Sequence, residues 1–87
     1  MKRVWQEERR LALEDGEELG LDYWFLTDET CWGQSYGLAV TDSRGGEEII
    51  RHITTDREEA ELLLKRIAAG TVTPVTASDV VEDFLAR

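Results

Sequence analysis

The chain has 87 residues, of which 41% are hydrophobic and 33% charged, and its formal net charge is -9. That length holds one domain with a thin core, about 60–70% of the unfolded surface being buried at this size. The acidic balance excludes a general affinity for nucleic acid or anionic lipid, and a single cysteine excludes an internal disulfide framework.

Three Trp, two Tyr and two Phe argue against disorder despite the charge. The charge is uneven, since residues 14–29 are acidic while Lys2, Arg3, Arg9 and Arg10 leave the N-terminal stretch roughly neutral. The opening MKRVWQEERR has no apolar segment of the kind a signal peptide needs. Apolar runs such as residues 23–26 are far below the roughly 20 residues that cross a bilayer. A cytoplasmic protein without membrane contact is expected.

Residues 2–13 lean to helix by propensity, but Val4, Trp5, Leu11 and Leu13 leave too wide a polar gap for a helical stripe. As a strand, Trp5, Leu11 and Leu13 share one face. An edge strand is favoured, bent and rich in charge, pairing through the turn at residues 14–20. That turn, EDGEELG, is acidic, but its spacing fits no EF-hand loop, so it reads as a solvated connection.

Residues 21–54 read as a β-meander. DYWFLT (22–27), SYGLAVT (35–41) and EIIRHIT (48–54) are short, aromatic or β-branched, and separated by turn formers. With an even number of residues in both loops, even positions on one strand oppose odd positions on the next. One face then collects Tyr23, Phe25, Thr27, Tyr36, Leu38, Val40, Ile49, Arg51 and Ile53, and is the core side. The other collects Asp22, Trp24, Leu26, Gly37, Ala39, Thr41, Glu48, Ile50 and His52.

A helix over 56–69 follows, opened by Thr55 and Glu58 as a capping box and closed by Gly70. Ala60, Leu63, Leu64 and Ile67 supply its apolar stripe. After an extended connector at Pro74, a second helix is expected over 77–86, with Thr76 as N-cap and Ala77, Val80, Val81, Phe84 and Leu85 inward. The fold class is α+β: an antiparallel meander of three to four strands, then two helices packed on one face of the sheet.

The tail TVTPVTASDVVEDFLAR, with SYGLAV and ITTDREEAELLLKRI before it, resembles a family of short uncharacterised bacterial proteins grouped as a domain of unknown function. The matching positions are Tyr36, Gly37, Ile53, Asp56, Pro74, Asp79, Val80, Glu82, Asp83, Phe84 and Leu85. Thr73 stands where Ser is common there. The resemblance covers about two thirds of the chain and implies no activity.

No motif for phosphate, metal or a cofactor is present, and none is expected to bind. Cys31 and His52 fall at the same end of the sheet, which admits a reactive pair, but no signature accompanies them. Asp79, Glu82 and Asp83 share one helix flank, a common pattern for a solvated face. A second sheet face that two helices leave uncovered is the more informative feature. Trp24, Leu26, Ala39 and Ile50, with Trp32 at the hairpin tip, would form an apolar interaction surface there. Alternatively, the N-terminal segment folds over this face and buries Trp24 against Trp5. The expected function is therefore a non-enzymatic interaction or accessory domain, engaging a protein partner or a second copy in a homodimer. The alternative is a thiol-dependent enzyme or redox sensor at Cys31.

Overall fold

The structure, a computed structural model, describes residues 1–86. Four strands, β1 (Lys2–Ala12), β2 (Glu18–Thr30), β3 (Gly33–Asp42) and β4 (Glu47–Thr54), form one antiparallel sheet in the order β1-β2-β3-β4. Two helices follow, α1 (Arg57–Ala69) and α2 (Pro74–Leu85), and both lie against the sheet. The N-terminal segment is thus an edge strand, as its pattern suggests, and joins the sheet instead of folding over it.

The β1–β2 register shifts between Trp5 and Glu7, where β1 carries an extra residue. Side chains alternate in a pleat, so one added residue transfers everything beyond it to the other face. Trp5 pairs with Trp24, away from the helices, whereas Leu11 pairs with Leu19 and packs against the core. The single face expected for Trp5, Leu11 and Leu13 is therefore split by a bulge.

Between β2 and β3 the turn is Cys31-Trp32, two residues, and the expected parity holds: Trp24 faces Ala39 and Phe25 faces Leu38. Between β3 and β4 it fails. Asp42 N donates to Gly46 O at 2.9 Å, enclosing Ser43, Arg44 and Gly45, an odd number. Asp42 Oδ1 accepts from Arg44 N and Gly46 N, both at 2.8 Å, and Gly45 takes φ 89°, which a side chain would resist. Leu38 consequently faces Ile50 and Ala39 faces Ile49, correcting the expected assignment of both isoleucines. Ile50 belongs to the helix side, where it packs against the core.

Further along, Tyr36 pairs with Thr54, so Arg51, His52 and Ile53 bulge opposite Gly37. Gly37 is required there because a Cβ would collide with the Ile50 carbonyl. His52 accommodates the bulge at φ 57°, and Arg51 reaches Asp28 on the face away from the helices, not the core side expected for it. Ile53 does turn to the core.

The core fills the space between sheet and helices. Leu21, Tyr23, Phe25, Tyr36, Leu38 and Val40 meet Ala60, Leu63, Leu64, Ile67, Ala68, Ala77 and Val81. Asp56, not Thr55, caps α1, its Oδ1 accepting from Glu58 N and Glu59 N. Helix α2 starts three residues before the expected Ala77, with Thr73 at the cap instead of Thr76. Proline fits the first helical turn, where its missing N–H is not needed.

The end of α1 is closed by Thr71 N donating to Ala68 O and Val72 N donating to Ile67 O, each at 3.1 Å. In this closure the residue after the C-cap is left-handed, and that residue is Thr71 at φ 52°, while Gly70 is at -83°. A β-branched residue is costly there, by about 1–2 kcal/mol. Thr71→Gly should therefore raise unfolding free energy by about 0.5–1 kcal/mol after the flexibility penalty of glycine, read as a higher midpoint in urea.

Tyr23 is fully buried, and its hydroxyl donates to Val72 O at 2.8 Å, tying the sheet to the connector between the helices. Burial pushes its phenol up to about 12. Since the unfolded phenol ionises near 10, the folded state retains the proton longer, and stability falls as pH rises from about 10 to 12. Tyr23→Phe should cost about 1 kcal/mol at neutral pH and flatten that alkaline limb in pH-dependent urea titrations.

Candidate interaction surface

The face away from the helices is ordered by cross-strand pairing into three rows. The middle row runs Trp5–Trp24–Ala39–Ile49 across all four strands. Ala39 is fully buried at its floor, Trp24 is half-buried, and Trp5 and Ile49 are 51% and 38% exposed. On one side lies the row Arg3–Leu26–Gly37, beside which Arg51 projects from the β4 bulge. On the other side lies Glu8–Asp22–Thr41–Glu47. An apolar band is thus bordered by cations on one flank and carboxylates on the other.

Both indoles on the band are anchored by polar bonds. Trp24 Nε1 donates to Thr41 Oγ1 at 3.1 Å, and Trp5 Nε1 donates to Asp22 Oδ1 at 3.0 Å. Fixed rings with one bonded edge present area without much conformational cost. Arg3 lies across Trp24, its guanidinium carbon 4.4 Å from the ring centroid, and its Nη1 and Nη2 donate to Glu47 Oε2 at 3.4 and 3.3 Å. Among the described residues the Arg3 Nε is buried without a hydrogen-bond partner. The strap is consequently weak: a long, partly exposed ion pair is worth about 0–1 kcal/mol, and an unsatisfied donor counts against it.

Of the residues the sequence points to for this surface, Trp24, Leu26 and Ala39 all point to this face, but Leu26 and Ala39 are fully buried there and only Trp24 is partly exposed. Ile50 does not point to it, for the parity reason given above, and Ile49 takes its place. Trp32 is 94% exposed at the β2–β3 turn. It stands roughly 20 Å from the middle row along the strands, at about 3.3 Å per residue, and is separate from the band. Trp5, Arg3 and Ile49 escape the sequence reading because a bulge and a three-residue turn set their faces.

Beyond the cationic row, Asp28 and Ser35 pair across β2 and β3 and are buried. Arg51 grips Asp28 with two bonds, Nη2 to Oδ1 at 2.8 Å and Nε to Oδ2 at 3.1 Å. His52 shares a hydrogen bond through Nδ1 with Ser35 Oγ, and its Nε2 lies 4.0 Å from Asp28 Oδ2. His52 is therefore engaged with Ser35 and Asp28, while Cys31 is exposed at the turn beyond them. Asp79, Glu82 and Asp83 are exposed along α2. Among the described residues no group of three His, Cys, Asp or Glu side chains is placed to hold a metal ion, and no helix is long and apolar enough to cross a membrane.

A family model described as "Family of unknown function (DUF6514)" matches residues 2–87. The chain belongs to that family. No curated protein and no solved structure matches it significantly. Membership in DUF6514 thus brings no activity with it, and what the chain does has to be argued from its surface.

The Arg51 hydrogen bonds, with the Arg51 and His52 charges, hold the Asp28 carboxyl below its ordinary value, against the opposing effect of burial. A carboxyl depressed in the folded state contributes stability that is fully present above its unfolded pKa and lost as pH falls through the folded one. Asp28→Asn should therefore be less stable than wild type at neutral pH, and the difference should shrink between about pH 5 and pH 2, measured as urea midpoints across that range.

Proposed function

We propose that this chain is a small non-enzymatic interaction domain that acts through the sheet face opposite its helices. The observation that carries this reading is the Trp5–Trp24–Ala39–Ile49 band across all four strands, exposed at Trp5 and Ile49, half-covered by Arg3 at Trp24 and bordered by charge. Aromatic anchors inside a polar rim are the composition of binding hot spots, and monomeric proteins seldom leave such bands uncovered. One exposed, unpaired thiol fits a reducing compartment. A thiol-based activity has less support, because the imidazole that would serve Cys31 is engaged with Ser35 and Asp28.

A photo-crosslinking residue in place of Trp5, compared with one in place of Val75, which is 87% exposed on α2, tests the face in living cells. Position 5 should give discrete protein adducts that position 75 does not. Equal labelling at the two positions, or none at either, removes the reading.

A further inference from the structure

We propose that the occupant of this face is a second copy of the same chain, related by a two-fold axis that runs along the Trp5–Trp24–Ala39–Ile49 row. This rests on the reading of the face as an interaction surface and adds the identity of what binds it. The deciding feature is the charge polarity of the flanking rows. Arg3 and the half-exposed Arg51, the latter held by the buried Asp28, arise on one side, and Glu8, Asp22 and Glu47 on the other. In the single copy Arg3 reaches across the band to Glu47.

Two copies can stack their faces about an axis along the row or about an axis along the strands. Rotation about the strand direction sets Arg3 and Arg51 of one copy against the same cations of the other, and carboxylates against carboxylates. Rotation about the row exchanges the flanks. It lays Arg3 of one copy over Glu8 of the second, and Arg51 towards Glu47, while the apolar row meets itself. Every contact occurs twice, as a closed two-fold interface requires. Two chains of net charge -9 repel overall, and an arrangement that sets cations against acids at the contact offsets that repulsion where one that sets like charges together adds to it.

The size of the face agrees. The molecule is a slab with extents of 47 × 27 × 17 Å, and its broad face accommodates the about 800 Å² that each partner gives to a standard interface. Arg3 moves off Trp24 on docking. It gives up its contact with the Trp24 ring, the long bond pair to Glu47 and a position in which its Nε has no partner among the described residues, and it exposes the indole to the second copy.

Charge reversal on the purified full chain tests this, with sedimentation equilibrium from micromolar to near-millimolar concentration. Wild type should dimerise. Arg3→Glu and Glu8→Arg should each weaken the dimer at least about tenfold, since each places two like-charge pairs in the interface. An equimolar mixture of the two variants should recover a one-to-one heterodimer, because both pairs are then opposite in charge. Glu8→Arg disturbs only an exposed pair with Arg10 at 3.6 Å, so circular dichroism should show it folded. A wild-type chain that stays monomeric throughout overturns the proposal, as does a dimer indifferent to the reversals or a mixture no tighter than its components. A monomer that still gives position-5 adducts to another protein removes the second copy and leaves the interaction face standing. Absence of position-5 adducts removes the face itself.

Discussion

A pleated sheet sends successive side chains to opposite faces, and two short helices are enough to cover one face only. This one constraint organises the chain. It places Tyr23, Phe25, Leu38 and Val40 under α1 and α2, and by the same alternation it leaves Trp24 and Ala39 on the far side. The core and the candidate surface are not separate inventions of the sequence. They are the two outcomes of one register, and whatever sets the register sets both.

What sets it is the number of residues in each connection. Cys31-Trp32 keeps parity between β2 and β3, while Ser43-Arg44-Gly45 inverts it between β3 and β4. The bulges in β1 and β4 invert or displace it again within a strand. Gly37 shows how tightly these choices interlock: the far strand closes so near its Cα that only a missing side chain permits the pairing. Ile49 reaches the surface and Ile50 the core for no reason of hydrophobicity, since the two residues are chemically the same.

The α+β class, the edge position of the N-terminal segment, both helices and the central Trp24–Ala39 pairing are legible in the sequence. They depend on periodicity and composition over many residues, and such averages survive local error. The identities of Ile49, Trp5 and Arg3 as surface residues are not legible, because each depends on a count that differs by one. The helix ends fall in between. Asp56 and Thr71 hold the roles that Thr55 and Gly70 would be given by preference alone, one because its carboxylate reaches two amides, the other because tertiary closure imposed a left-handed turn on a residue that disfavours it. Asp28 and Ser35 pair directly across β2 and β3, but His52 reaches them only through the β4 bulge, so no local pattern announces the group.

The extra residue beside Trp5 has an effect on how far assembly can proceed. Strand β1 is an outer strand, and a long straight one would offer an unfilled ladder on which further chains add without limit. The kink interrupts that ladder midway, and the charged run Glu7, Glu8, Arg9 and Arg10 in its second half discourages a neighbour from lying alongside. Lateral strand addition is thereby discouraged at the β1 edge, and at the opposite edge the β4 bulge opposite Gly37 interrupts the ladder in the same way. The same bulge that turns Trp5 outward thus also guards the β1 edge of the sheet against the addition of further strands.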